Sequence, residues 1–320
     1  MKSLLAFLNR NNKIIFIVLL LLTLLPQVSP AIALFIGLAF ALTAGQAYPK
    51  FAKKTSKYLL QASVVGLGFG MNLHESLASG KEGMLFTIVS VVAVMIIGYF
   101  VGKWMRVDRK TSYLISSGTA ICGGSAIAAV GPVVKADDNQ MSVALGTVFV
   151  LNAIALFIFP PIGHWLGMTQ EQFGEWAAIA IHDTSSVVGA GEAFDRSYFP
   201  DAEGKALQIA TLIKCTRALW IIPLALVTTL IFKEKNSKIS IPWFIFLFVL
   251  AMVINTYTAL PEALTGSLVW LAKKGLTVTL FLIGSGLSLD VLRNVGIKPM
   301  VQGITLWIVI ALLSLAVILW

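Results

Sequence analysis

The chain has 320 residues, of which 58% are hydrophobic and only 12% charged, and its mean hydropathy is +0.87. Soluble domains carry about 25% charged and 45–50% apolar residues, and an excess of this size would leave apolar surface that aggregates in water. This excludes a soluble enzyme, a secreted disulfide scaffold and a nucleic-acid-binding domain, and leaves a polytopic membrane protein. The formal charge of +9 comes from basic residues in short loops between apolar runs, where they act as topology signals. Cys122 and Cys215 lie inside apolar segments, so neither a disulfide framework nor a metal site is expected, and no cofactor is implied.

In chain order, the usual length criterion gives about eleven candidate transmembrane segments. The first four are Lys13–Gln27, Pro30–Tyr48, Tyr58–Leu73 and Gly83–Gly102. Ser112–Val134, Gln140–Pro160, Trp176–Gly191 and Ala206–Phe232 follow, then Ile241–Leu260, Leu264–Leu289 and Pro299–Trp320. Trp176–Gly191 is the shortest, and is open to a re-entrant reading. The run ending at Leu25 reads as a retained helix, because no small-x-small cleavage site follows and Pro26 leads into the next apolar segment. The expected fold is all-α, one membrane domain over residues 1–320.

Lysine and arginine set the orientation. Lys2, Arg10 and Lys13, then Lys50, Lys53, Lys54 and Lys57, then Lys103, Arg106, Arg109 and Lys110, then Lys233, Lys235 and Lys238 fall on one side. These loops are expected in the cytoplasm, with the N-terminus inside and the C-terminus outside. One loop disagrees: Pro161–Glu175 should lie inside, yet it carries Glu171 and Glu175 and no Lys or Arg.

Gly68-Phe69-Gly70-Met71-Asn72-Leu73 matches Gly284-Ser285-Gly286-Leu287-Ser288-Leu289. Each closes an apolar segment and is expected to lead through a short loop to a glycine, Gly80 or Gly296. The copies begin an odd number of segments apart, and such inverted repeats are a feature of secondary transporters.

The fifth segment contains Gly118-Thr119-Ala120-Ile121-Cys122-Gly123-Gly124-Ser125-Ala126. Adjacent glycines weaken a helix by about 1 kcal/mol each, and backbone freed at that depth must face protein or a wet cavity. A break here would aim the N–H groups at Gly124 and Ser125 toward the bilayer centre, where they would attract an anion; close small-residue packing is the competing explanation. In the seventh segment, His182 and Asp183 precede Thr184, Ser185 and Ser186. Ionisable residues at this depth face a cavity or a partner, and Asp183 could also cap a second helix start. The eighth segment carries Lys214 and Arg217 on one helical side, either as counter-ions of Asp183, as ligands of an anion, or snorkelling to an interface.

These stretches, with Leu212-Ile213-Lys214-x-Thr216-Arg217, resemble the sulfate exporter family of bacterial inner-membrane proteins over nearly the whole chain. There is a more distant likeness to the bile acid:sodium symporters. Gly68–Leu73, Cys122–Ser125 and Ala136-Asp137-Asp138 stand where those have a Gly-x-Gly helix end, a Cys-Pro-Gly-Gly-Thr break and an acidic turn. Here no proline follows Cys122, and no segment after the second Gly-x-Gly copy can hold a second broken helix.

The resulting expectation is a secondary carrier of a small anion in the inner membrane, not an enzyme: no zincin, nucleophile-elbow or P-loop motif is present. A sodium-coupled organic anion symporter and an integral membrane enzyme are the alternatives. Thr119, Cys122, Gly123, Gly124, Ser125, Lys214 and Arg217 are the expected substrate ligands. His182 and Asp183 would couple transport to protons; Asn72 and Ser288 could help hold a sodium ion instead. Besides the anion and the coupling ion, lipid and a further copy of the chain are expected partners, and nucleic acid is not.

Overall fold

The structure, a computed structural model, describes residues 11–201, 204–232, 243–258, 260–287 and 295–320, the side chains of 75–86 excepted. Ser288 and the lysines 233, 235 and 238 lie outside the described residues. Every regular element among them is an α-helix. These are α1 (Asn12–Leu22), α2 (Pro30–Ala44), α3 (Pro49–Gly68), α4 (Leu73–Trp104), α5 (Arg109–Ala120), α6 (Gly124–Val130) and α7 (Asp138–Trp165). They continue with α8 (Gln170–Ala180), α9 (Thr184–Tyr198), α10 (Lys205–Ala218), α11 (Ile221–Phe232), α12 (Trp243–Tyr257), α13 (Glu262–Ser285) and α14 (Ile297–Leu319).

Among the described residues, five stretches are long and apolar enough to cross a membrane: Thr87–Trp104, Asp138–Trp165, Lys205–Phe232, Glu262–Ser285 and Ile297–Leu319. Asn12–Leu22, Pro30–Ala44 and Trp243–Tyr257 are shorter apolar helices. Large hydrophobic side chains cover their outward faces, with Trp104, Trp165 and Trp243 exposed at helix ends, where indole rings suit the membrane–water boundary.

The expectation of about eleven spans fails at two places. The fifth segment breaks where the glycines predict, but the chain then turns back. Ile127 of α6 lies against Gly118 of α5. At the mouth, the Lys110 ammonium donates to the Lys135 carbonyl (2.7 Å) and the Gln140 amide to the Asp108 carboxylate (2.9 Å). Helices α5 and α6 therefore form a hairpin that returns to the face it left. Helices α8 and α9 do the same from the other end of α7. Phe173 and Phe194 stack with ring centroids 3.9 Å apart, and Gln170 at the start of α8 donates to Asp195 near the end of α9. The acidic Pro161–Glu175 loop consequently lies on the face opposite the Lys103–Lys110 loop, so its lack of basic residues is no longer an exception.

The other helices form a second group around α3 and α13. These two run antiparallel, with Gly66 against Ala272, Gly70 against Val269 and Gly275 against Ser63. Helix α2 runs beside α13, and α12 beside α3, through close contacts at Gly37, Gly284 and Gly68. Both Gly-x-Gly stretches begin at helix ends, of α3 and α13. The loop expected to reach Gly80 does not exist: α4 begins at Leu73, directly after the turn.

Candidate functional site

The two hairpins meet tip to tip. Ala120-Ile121 and Ala180-Ile181 occupy corresponding places, with Ile121 and Ile181 closing α5 and α8, and Gly123 and Asp183 preceding α6 and α9. Gly123 has φ 62° and ψ −123°, the geometry of the first central residue of a type II′ turn, which glycine adopts without strain. A methyl group there would sit 3.2 Å from the Asp183 backbone. Glycine thus both makes the reversal and lets the tips touch.

At each tip one half-helix ends and another begins. The ends of α5 and α8 present free carbonyls and the negative end of the helix dipole, and α10 meets both with cations. Lys214 Nζ donates to the carbonyls of Ile181 (2.7 Å) and Ala178 (3.2 Å). Arg217 Nε donates to Ala120 O (2.8 Å) and its Nη1 to Ile179 O (3.0 Å), one carbonyl from each hairpin. Both side chains are fully buried. A cation at mid-span costs on the order of 2.5–3.5 kcal/mol, and hydrogen bonds from charged groups return about 1.5–3 kcal/mol each. Neither cation snorkels. Nor do they pair with Asp183, because among the described residues the ion pair found joins Lys205 to Glu171 at 3.6 Å.

Asp183 caps its own helix, accepting from Ser185 N at 3.0 Å and from the Ser185 hydroxyl. At the corresponding position Gly123 has no side chain to do this for α6. Asn152, from the middle of α7, accepts the backbone N–H groups of His182 and Asp183, each at 3.1 Å. Sequence reasoning missed Asn152; the available signal was a lone amide in the apolar run Val148–Phe159.

Of the expected ligands, Thr119, Cys122 and Gly123 are buried at the tips with His182, Asp183, Lys214 and Arg217. Gly124 is half-buried and Ser125 exposed, so these two form the rim rather than the centre. The structure does not bring Asn72 to this cluster. It is exposed after α3, where its side chain accepts from His74 N at 2.8 Å, because the first turn of α4 needs a cap. The hydrogen-bonding capacity of the tips is unfilled: Arg217 Nη2, Asn152 Nδ2, Thr119 Oγ1 and both His182 ring nitrogens are buried and have no partner among the described residues. Chemically, this is a buried cluster with two cations, one carboxylate and spare donors, shared by the two hairpins, α7 and α10.

Comparison with known proteins reinforces the membrane reading. A family model described as conserved hypothetical protein 698 matches residues 11–303. A "UPF0324 membrane protein" of Bacteroides thetaiotaomicron is 65% identical over 91% of this chain and 86% of its own length. Similarly named proteins of Porphyromonas gingivalis and Shewanella oneidensis are 54% and 42% identical, covering 96% and 99% of the chain and 94% and 98% of their own lengths. No solved structure matches. The chain belongs to the family of UPF0324 membrane proteins that this model describes.

Proposed function

We propose that the protein is a secondary carrier of a small anion of the sulfate, sulfite or sulfonate class, with its binding site at the hairpin tips. The observation that carries the reading is Arg217. Its guanidinium is wholly buried where the tips meet, holds one carbonyl of each hairpin and leaves Nη2 unmatched. A guanidinium fork suits a planar or tetrahedral oxyanion, and Asn152 Nδ2 and Thr119 Oγ1 add neutral donors in the same cluster. The resemblance to the sulfate exporters lies in the same stretches, Gly118–Ala129 and Leu212–Arg217.

The arrangement also suits alternating access. Read in opposite directions across the membrane, α2, α3, α4, the α5–α6 hairpin and α7 correspond to α12, α13, α14, the α8–α9 hairpin and α10–α11. This is an inverted repeat whose second copy is circularly permuted: its hairpin and following helix precede its three-helix unit. That ordering is why no second broken helix follows the later Gly-x-Gly stretch. The lysine-rich loops support a cytoplasmic N-terminus in an inner membrane. The buried His182 beside Asp183 supports protons over sodium as the coupling ion, since Asn72 serves as a helix cap.

The test is uptake of labelled sulfate, sulfite and methanesulfonate into proteoliposomes, under an imposed proton or sodium gradient at fixed voltage. The reading predicts saturable uptake of at least one anion, driven by the proton gradient and altered in its pH profile by His182→Gln. Uptake no faster than in protein-free liposomes for all three would refute the anion assignment, and strict dependence on sodium would refute proton coupling.

A further inference from the structure

On the acidic side, between α10, α13 and the turn after α3, lies a crevice of about 60 Å³. Gly70 and Met71 form one wall, Gly204 just before α10 with Gln208 and Thr211 of that helix another, and Lys273 of α13 reaches into it. The volume suffices for several waters or one tetrahedral oxyanion. Gly204, Gln208 and Thr211 follow one another at helical spacing, and the next residue along that side of α10 is Lys214 at the hairpin tips. Lys273 is half-buried, and it makes no ion pair within 4 Å among the described residues, where only Lys205–Glu171 does so. Two carboxylates on α9 lie in its field, Glu192 and Asp195, together with the cations Lys274 and Arg196 around Glu192. Asp195 is engaged by Gln170 and the backbone of Ala206 and Leu207, whereas Glu192 Oε2 is buried without a partner.

We propose that this crevice is a docking site for a small oxyanion, with Lys273 as its charged ligand, from which the anion passes along α10 to Lys214 and Arg217. The proposal rests on the anion-carrier reading and extends it to a second, peripheral site. Lys273 is the cation that the crevice exposes to an incoming ligand, and Thr211 marks the floor, one turn short of Lys214.

The probe is sulfate, tested on the full chain in detergent. Val269→Cys lines the crevice, and the native cysteines are buried, so the wild type supplies the background for labelling by a sulfonatoethyl methanethiosulfonate reagent. At constant ionic strength, sulfate should slow labelling of Val269→Cys at least fivefold relative to chloride, in a saturable manner. The protection should vanish when Lys273→Gln is added and persist with Lys205→Gln. Should Val269→Cys fold poorly, the rise in Tm produced by sulfate in otherwise native protein should shrink in Lys273→Gln. Equal labelling in sulfate and chloride would overturn the proposal. So would protection restored by the charge swap Lys273→Glu with Glu192→Lys, because Lys273 would then serve as a partner of Glu192. Protection without anion flux would defeat the carrier reading and leave the site standing; flux without protection would defeat the site alone.

Discussion

Arg217 and Asn152 each do something at the tips that a neighbour of similar size could not. Arg217 ties Ala120 to Ile179 through two nitrogens of one rigid fork, so a lysine can keep the charge and one bond but not the bridge. We expect Arg217→Lys to remain monodisperse with a modest fall in Tm, and to lose sulfate flux at least tenfold; flux that merely follows stability would reduce Arg217 to a structural strut. Asn152 accepts two backbone N–H groups in a buried site, and each group left unsatisfied costs about 1–3 kcal/mol. Asn152→Leu should therefore destabilise the protein well beyond Asn152→Asp, which keeps the acceptor, as thermal unfolding would reveal. The sequence marked Arg217, Lys214, His182 and Asp183 because charge inside apolar runs is conspicuous. It could not mark Asn152, whose importance depends on which backbone groups the fold brings to it, nor show that the cations face helix ends rather than Asp183.

At the scale of the helices, the break in the fifth segment was legible because Gly123-Gly124 is a poor helix and a good turn. Its consequence was not legible. A half-helix such as Gly124–Val130 reads the same whether the chain continues across the membrane or folds back, and the choice is made by packing against α7 and by the mouth contacts of Lys110 and Gln140. The mismatch of Glu171 and Glu175 with the charge rule was the trace the sequence did carry. If the reversal depends on Gly123, Gly123→Ala should cost about 1–3 kcal/mol from backbone conformation alone, and more from the 3.2 Å approach to Asp183. Ala126→Gly, one turn on at a buried helical position, should cost only about 1 kcal/mol. Similar losses for the two variants in thermal unfolding would argue that the turn is not special.

Over the whole molecule, opposed hairpins and antiparallel partner helices give the fold its two-sidedness, and the carrier reading depends on it. Composition identified the class, and the two Gly-x-Gly stretches each mark a helix end, of α3 and α13. The permuted repeat we propose draws on how the helices pack as well as on that match. The most direct test is sided labelling of single cysteines in intact cells, using an impermeant thiol reagent at four exposed positions: Lys103→Cys, Asn139→Cys, Glu171→Cys and Ser197→Cys. Hairpins that return to their own faces predict that Lys103→Cys and Asn139→Cys stay unlabelled until the cells are permeabilised, while Glu171→Cys and Ser197→Cys react from outside. Broken helices that cross the membrane would give alternation instead, with Asn139→Cys and Ser197→Cys reacting from outside and Lys103→Cys and Glu171→Cys protected, and that result would contradict the account.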